Sequence, residues 1–196
     1  MPEITILDKT YKRLAVDILG EAFAFDPFNR WIVDDSAYPA HIFGLMIEHF
    51  ARYGLVVVND RKNAALLAIR PHVGTKYSPS LPDVWRFYRR FGLGALIRLV
   101  QTGRFFDKHH FARPHYYLFA IGTTEKARGR GEGKKLLRSL IERANQEGVA
   151  IYAENSNPEA MTGFYRSLGF QSLSPIRVSP SSPEVVPILY TPTSDV

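Results

Sequence analysis

A glycine-rich segment between a predicted strand and a predicted helix constrains the fold of this 196-residue chain more than any other feature. The segment Arg128–Lys135 has the sequence Arg-Gly-Arg-Gly-Glu-Gly-Lys-Lys. A β-rich stretch, Tyr116–Gly122, precedes it, and a helical pattern extends over Gly129–Glu147. Glycines let a backbone approach a ligand closely, and the N-terminus of a helix exposes unpaired N–H groups that favour anions. The segment therefore predicts a binding site for a diphosphate.

The spacing of this segment excludes two common phosphate-binding loops. A Walker A loop needs Gly, four residues and then Gly-Lys-Ser/Thr, but Arg128 stands at its first glycine position and Lys135 at its hydroxyl position. A dinucleotide-binding fingerprint needs G-x-G-x-x-G, whereas the glycines at 129, 131 and 133 are spaced G-x-G-x-G. The pattern that remains is R-x-x-G-x-G. A helix start that needs glycine only for packing stays open as an alternative.

The order of elements in the C-terminal half predicts an α/β fold. Strands alternate with helices there, which implies βαβ connections and helices packed on a sheet. The strands are predicted at Tyr116–Gly122, Val149–Ala153, Gly169–Leu173 and Val185–Tyr190, and the helices at Gly129–Glu147 and Pro158–Leu168.

The N-terminal half predicts a hairpin that makes the sheet mixed. The β-rich runs Leu55–Val58 and Ala64–Ile69 are joined by a polar turn typical of hairpins. A strand is predicted at Glu3–Leu7, followed by a helix from its N-cap Asp8 to about Phe25, where Asp26-Pro27 ends it. Further helices are predicted at Ser36–Tyr53 and at Asp83–Gln101, the latter broken near Gly92–Gly94, after a loop at Arg70–Pro82.

Two blocks together make the chain resemble the GNAT superfamily of acetyl-CoA-dependent N-acetyltransferases. One is the R-x-x-G-x-G segment between a strand and a helix. The other is Tyr152–Pro158, a strand that ends in Glu and an Asn-containing turn, followed by Phe164–Phe170 with the pattern F-Y-x-x-L-G-F. Within the superfamily, His115–Leu118, the hairpin and Phe25-Asp26-Pro27 are most similar to the puromycin N-acetyltransferase-like branch.

The resemblance implies a fold and a division of the chain. We expect an α/β domain with a GNAT-type mixed central β-sheet flanked by helices on both faces. The whole chain, 1–196, would form one N-acetyltransferase domain. Residues 1–114 would be its variable acceptor-binding half and residues 115–196 its acetyl-CoA-binding half.

The resemblance also implies where acetyl-CoA binds as co-substrate. The pantetheine of the cofactor would lie along the strand end before the loop, and its diphosphate would lie on the loop. Asn157, at the start of the next helix, would contact the cofactor or serve only as a helix N-cap. The expected residues are Ile121, Gly122, Thr123, Arg128, Gly129, Arg130, Gly131, Glu132, Gly133, Lys134 and Asn157.

Acetyl transfer from a thioester to an amine needs an acid for the leaving thiolate and a base for the ammonium. Tyr165 matches the family's tyrosine beside the cofactor sulfur and is expected to be the general acid. Alternatively, it is only an aromatic residue of the core. Glu154 is the expected base, directly or through water, and Asp26, Asp34 and Asp35 are alternatives. Phe25, Asp26 and Trp31 are expected to bind the acceptor. The histidines at 109 and 110 have no identifiable partner, and no metal site is expected.

The composition limits which binding partners and which cellular compartment are expected. The chain has no cysteine, which excludes disulfides and fits a cytoplasmic protein, and no apolar run or N-terminal segment predicts a membrane span or a signal peptide. The net charge of +6 is concentrated around the glycine loop, so it suits a phosphorylated cofactor as well as nucleic acid. We expect an acetyltransferase acting on a small-molecule primary amine, a monomer or homodimer without nucleic-acid or membrane partners.

Two other functions stay open. The chain could be a catalytically inactive acyl-CoA-binding or sensor domain, although its Tyr165 and Glu154 argue against this. It could also be a basic nucleic-acid-binding protein, although no nucleic-acid-binding motif is present in the sequence. The identity of the acceptor cannot be derived from these residues.

Overall fold

The computed structural model describes residues 9–74 and 76–192. Its centre is a six-stranded mixed sheet in the order β1-β2-β3-β4-β6-β5. Strands β3 and β4 are parallel, and every other neighbouring pair is antiparallel. The strands are β1 (Gly54–Val58), β2 (Ala64–Ile69), β3 (His115–Thr123), β4 (Ala150–Asn155), β5 (Gln171–Ser172) and β6 (Val186–Tyr190). The predicted α/β fold with a mixed sheet and a β1–β2 hairpin is confirmed.

Helices cover both faces of this sheet. Helices α1 and α3 pack on one face, and α5 packs on the other. Helices α2 and α4 contact each other in a third apolar cluster. The helices are α1 (Lys9–Phe23), α2 (Pro27–Ile32), α3 (Tyr38–Tyr53), α4 (Leu81–His109), α5 (Glu132–Glu147) and the short α6 (Pro158–Ala160). None of them is long and apolar enough to cross a membrane, within the residues that the structure describes.

The apolar spacing of each long helix explains which face it buries. In α5 the buried residues Leu136, Leu137, Leu140 and Ala144 recur at helical spacing and meet the sheet. On the opposite face, Ile18 of α1 packs with apolar residues of α3 against β2. Every residue of β2 is buried, as expected for a strand with helices on both sides.

Helices α1 and α3 approach each other closely at a glycine. A Cβ on Gly20 would lie 2.6 Å from the Cβ of Ala40. Gly44, also a helical glycine, faces outward, and a Cβ there would lie 4.0 Å from Cγ1 of Val16. The α1–α3 contact therefore requires a residue without a side chain at position 20 but not at position 44.

Several predicted boundaries were wrong. Asp26-Pro27 does not simply end a helix: α1 ends at Phe23, and Asp26 is the N-cap of α2, with its carboxylate accepting a hydrogen bond from Asn29 N at 2.9 Å. Proline is well suited to the first helical turn, so the same dipeptide starts a helix. Helix α5 begins at Glu132 rather than at Gly129, because the glycines before it form a turn. The predicted strand Glu3–Leu7 and N-cap Asp8 lie outside the described residues.

The predicted helix at Pro158–Leu168 is not continuous. Helix α6 is followed by a π-helical turn at Met161–Tyr165 and a 3₁₀ turn at Arg166–Leu168. The Arg166 N–H bonds to the carbonyl of Met161, five residues back. Helix α4 is longer than its prediction of Asp83–Gln101, and its break is confirmed at Gly92, where φ is +83° and ψ is 174°.

The two helical glycines give a matched test of the α1–α3 contact. Both Gly20→Ala and Gly44→Ala gain the same helix propensity, about 1 kcal/mol. Only Gly20→Ala forces a Cβ into an occupied space, which costs typically about 1–3 kcal/mol. We expect Gly20→Ala to unfold at lower urea concentration than Gly44→Ala in equilibrium denaturation. Equal midpoints for the two variants would contradict the close packing.

Candidate active site

Strands β3 and β4 separate after a short parallel pairing, and this opens the sheet. They pair over three residues only, His115 with Ala150, Tyr116 with Ile151 and Tyr117 with Tyr152. Beyond that point β3 continues along β2 while β4 continues along β6.

The end of β3 borders this opening. Ile121, Gly122 and Thr123 pair with β2 on one side, and none of the described strands pairs with them on the other. Backbone N–H and C=O groups require partners. This strand edge can therefore bind an extended ligand through its backbone, as β-strand addition does.

The glycine loop lies between β3 and α5 and is exposed. After a 3₁₀ turn at Glu125–Ala127, both Gly129 and Gly131 adopt left-handed conformations, with φ of +76° and +77°. A Cβ at either position would meet no atom within 4 Å, so the backbone conformation, not crowding, favours glycine there. The side chains of Arg128 and Arg130 are exposed beside them.

The N-terminus of α5 presents the N–H groups that the sequence predicted. The first bond along this helix runs from Lys135 N to Gly131 O at 3.1 Å. The N–H groups of Glu132, Gly133 and Lys134 precede it and have no partner within the helix. Together with the two arginines, these donors fit a diphosphate by charge and by hydrogen-bond direction.

The Glu132 side chain points away from the loop and into the β1–β2 hairpin. Its carboxylate is 5% exposed and accepts hydrogen bonds from Asn59 Nδ2 and Arg61 at 3.0 Å each and from Lys135 at 3.2 Å. The Lys135 ammonium, followed by the Asn59 amide, holds the pKa of this carboxyl below its usual value. Of the predicted cofactor residues, Glu132 can thus contribute its N–H, while its side chain anchors the helix start.

Asn59 makes this anchor part of the hairpin turn. Its Oδ1 accepts hydrogen bonds from the N–H groups of Asn63 and Ala64, both at 2.9 Å. The carbonyl of Asn63 in turn accepts a hydrogen bond from Thr124 N at 2.9 Å, just before the glycine loop. The loop is therefore held at both ends by one turn, a role that the sequence did not reveal.

Tyr165 closes the π-helical turn on the α5 face of the sheet. Its ring packs edge-to-face on Phe164 and Phe170, with ring centroids 4.9 and 5.5 Å apart. Burial raises the pKa of its phenol above the usual value, so the hydroxyl keeps its proton at neutral pH. Phe164 also borders α5, because a Cβ on Gly133 would lie 3.5 Å from its ring.

Glu154 lies just beyond the point where β3 and β4 separate, and its carboxylate is 7% exposed. Its Oε1 has no hydrogen-bond partner among the described residues and lies 3.7 Å from Nδ1 of His110. His110 Nε2 is 3.0 Å from Nε2 of His115. The expectation that His110 has no partner was wrong. Residues at 110, 115 and 154 come together only through the parallel β3–β4 pairing, so no local signal could show it.

The other predicted residues lie around the turn after β4. Asp26 accepts a hydrogen bond from Ser156 Oγ at 2.6 Å, so its second oxygen links α2 to this turn. Asn157 accepts from the N–H groups of Glu159 and Ala160, which is the N-cap geometry that the sequence left open. Phe25 is 80% exposed, and Trp31 packs on Phe28 with ring centroids 5.5 Å apart. No cluster in the described part of the chain has the geometry of a metal site.

Comparison with known proteins agrees with this geometry. Residues 93–170 match the sequence model of the Acetyltransferase (GNAT) family. No curated protein sequence matches the chain closely enough to count as a relative.

Solved structures share the fold over nearly the whole chain. A Corynebacterium glutamicum structure described as histone acetyltransferase HPA2 and related acetyltransferase has a TM-score of 0.67 at 24% identity, covering 97% of this chain and 96% of its own. Arylalkylamine N-acetyltransferase 2 from Aedes aegypti has a TM-score of 0.59 at 13% identity, covering 95% and 97%. Polyamine N-acetyltransferase from Drosophila melanogaster has a TM-score of 0.55 at 16% identity, covering 92% and 94%.

The fold and the matched segment are similar to those of acyltransferases. The matched segment contains β3, the glycine loop, α5, β4 and Tyr165. The chain is therefore similar to the acetyltransferase (GNAT) family over residues 93–170, and it shares the fold of a solved acetyltransferase over nearly its whole length.

The anchor at Glu132 predicts a pH-dependent loss of stability. Its carboxyl pKa is lowered from the usual 4.5, so it stabilises the fold above that pH and stops doing so as the pH falls through the lowered value. We expect Glu132→Gln to lower the melting temperature at neutral pH and to weaken CoA binding. The stability difference from the wild type should shrink below pH 4.5.

Glu142→Gln, at an exposed position of the same helix, is the matched control. Thermal melts between acidic and neutral pH and calorimetric titration with CoA measure both effects. Equal melting temperatures and CoA affinities for the two variants would contradict the anchoring role of Glu132.

Proposed function

We propose that this protein transfers the acetyl group of acetyl-CoA directly to a primary amine of a small molecule. The observation that carries the proposal is the opening between β3 and β4 beyond Tyr117 and Tyr152. The glycine loop lies at the end of one of these strands, and Glu154 lies on the other.

The β3 edge and the loop support acetyl-CoA as co-substrate. Ile121, Gly122 and Thr123 would pair with the pantetheine through their backbone, and an N–H there would stabilise the developing oxyanion of the thioester. Arg128–Lys134 would hold the diphosphate through the backbone donors of the loop and helix and the two exposed arginines. The side chain of Asn157 is engaged as an N-cap, which leaves other groups of its turn for the cofactor.

Two residues would carry out the acid–base chemistry. Tyr165 keeps its proton because burial raises its pKa, so it would donate that proton to the leaving thiolate. Glu154 would take a proton from the acceptor ammonium, directly or through water, because its Oε1 makes no hydrogen bond within the described structure. Asp26 is a weaker alternative base, since both of its oxygens already accept hydrogen bonds.

The acceptor would bind next to the turn after β4. The exposed ring of Phe25 and the indole of Trp31 offer apolar surface beside the carboxylate of Asp26, which suits an amine with an apolar or aromatic part. Three solved structures with this fold are of arylalkylamine, agmatine and polyamine N-acetyltransferases. Their names support a small amine as the acceptor class here.

A turnover screen tests the proposal. Purified protein is mixed with acetyl-CoA and single amines from the arylalkylamine, polyamine, amino-acid and aminoglycoside classes. We expect thiol release with at least one amine and a product heavier by one acetyl group in mass spectrometry. CoA binding without acetylation of any amine would reject the proposal in favour of an acyl-CoA sensor. Salt-dependent DNA binding that CoA does not affect would indicate a nucleic-acid-binding protein instead.

Tyr165→Phe tests the general acid. The variant keeps the ring packing but removes the proton donor, so we expect kcat to fall by about 10²–10⁴-fold with little change in CoA affinity. Tyr190→Phe is the control, because its hydroxyl bonds to Asn145 Oδ1 at 3.0 Å in a structural contact. Steady-state kinetics and calorimetry measure the two effects. An unchanged kcat in Tyr165→Phe would remove this residue from the mechanism.

A further inference from the structure

We propose that His110 and Glu154 form a single proton-accepting site for the acceptor ammonium, and that His115 fixes the tautomer of His110. This inference rests on the proposed acetyl transfer to an amine. It adds His110 to the catalytic residues and makes His115 a positioning residue.

The tautomer of His115 follows from its backbone contact. Its Nδ1 lies 2.6 Å from the carbonyl oxygen of Arg113, which can only accept, so Nδ1 carries the proton. Burial lowers the pKa of His115, so this ring is neutral at neutral pH. A neutral ring with its proton on Nδ1 has a lone pair on Nε2.

The tautomer of His110 follows from that of His115. Its Nε2 lies 3.0 Å from the Nε2 lone pair of His115, so His110 Nε2 must donate a proton to this hydrogen bond. When the ring carries only this proton, Nδ1 of His110 is bare. This nitrogen lies 3.7 Å from Glu154 Oε1, an atom that also carries lone pairs.

Two acceptors that face each other make a site with room for one proton. At 3.7 Å the two atoms are not hydrogen bonded, and Glu154 Oε1 has no other partner among the described residues. A proton delivered to His110 Nδ1 converts this contact into a hydrogen-bonded ion pair, and one delivered to Glu154 Oε1 converts it into a neutral hydrogen bond; either satisfies a buried polar atom. An unpaired buried acceptor is costly, so a proton shared between the two atoms would stabilise this contact.

The surroundings favour transfer within the pair over loss to other groups. His110 is 16% exposed and packs edge-on against Tyr117 and Tyr152, with ring centroids 4.7 and 5.1 Å apart. Both phenols have raised pKa values, mainly from burial and then from the charge of Glu154, so they stay protonated. The charged or titratable groups around His110 are Glu154 and Tyr152 of β4, His115 and Tyr117 of β3, and Asp107 near the end of α4.

The position of the pair fits its proposed task. His110 packs on Tyr117 and Tyr152, the last residues that pair before β3 and β4 separate, and Glu154 lies two residues further along β4. One proton of the acceptor ammonium would move to the His110–Glu154 site, which leaves a neutral amine. The amine nitrogen then forms the C–N bond as the C–S bond breaks, its second proton replaces the one that Tyr165 gives to the thiolate, and the pair returns its proton to water.

Two isosteric acceptor amines distinguish a proton-accepting role of His110 from a structural role. Phenethylamine is protonated at neutral pH, whereas O-benzylhydroxylamine, with oxygen in place of one CH₂, is a weak base and is already neutral. In His110→Gln we expect kcat/KM at neutral pH to fall by about 10²–10⁴-fold with phenethylamine and far less with O-benzylhydroxylamine. Raising the pH should restore much of the loss with phenethylamine. If the screen selects another amine, its alkoxyamine isostere serves as the second acceptor.

His109→Gln is the matched control. Its ring is exposed, stacks on Phe105 and bonds to the Phe105 carbonyl at 2.8 Å, away from Glu154. We expect its kinetics to equal those of the wild type with both acceptors. His115→Gln should reproduce a milder form of the His110→Gln pattern, because it removes the group that fixes the ring.

The outcomes distinguish this inference from the proposed function. A wild type that acetylates no amine rejects the proposed function itself. A wild type that is active, with equal losses for both acceptors in His110→Gln, rejects the proton-accepting role. ¹⁵N spectra of the histidine rings give a readout independent of turnover: a proton on Nδ1 of His115 and on Nε2 of His110 supports the inference, and the opposite tautomers overturn it.

Discussion

The separation of β3 and β4 after three residue pairs is the constraint on which the site depends. Parallel strands in the middle of a sheet normally pair along their length, because unpaired backbone groups in a protein interior are costly. Here β3 continues to Thr123 with a ladder on its β2 side, while β4 turns toward β6. The sheet thus has an edge in its interior, which a ligand with amide groups can complete.

This edge can bind a ligand only if the groups around it are held in place. Polar contacts outside the opening hold them. Glu132 and Asn59 fix the start of α5 against the hairpin turn. Asn155 holds the turn after β4, because its side chain bonds to both the carbonyl and the N–H of Asn157. Glycines allow the left-handed backbone conformations of the loop, and the side chains of Glu132, Asn59 and Asn155 hold the neighbouring turns in place.

Features with a local signal were predictable from the sequence, and features that depend on distant contacts were not. The hairpin, α1, α3 and α5 follow from apolar periodicity and capping, and the exposed glycine turn before α5 follows from the glycines of the loop. The same dipeptide, Asp26-Pro27, ends one helix or starts another according to what α2 packs against. The π turn before Tyr165 also lacks a local signal.

The side chains of the site show the same limit more sharply. Glu132 lies within the predicted loop, yet a contact 73 residues away along the chain turns its carboxylate out of the site. Asn157 was left between two roles, and the turn geometry shows the N-cap. The proposed role of His110 depends on its contacts with His115 and Glu154, and only the parallel β3–β4 pairing brings these residues together. Periodicity reports which face a residue occupies but not which residue it meets there.

The two sides of the sheet divide the proposed chemistry. Successive residues of a strand point to opposite faces, so Tyr152 and Glu154 face away from Ile151 and Ala153, which pack in the same cluster as Tyr165. Glu154, the proposed proton acceptor, therefore lies on the α1–α3 face, and Tyr165, the proposed proton donor, lies on the α5 face. In the proposed mechanism the acid and the base would approach the thioester from opposite faces of the sheet, through the opening between β3 and β4.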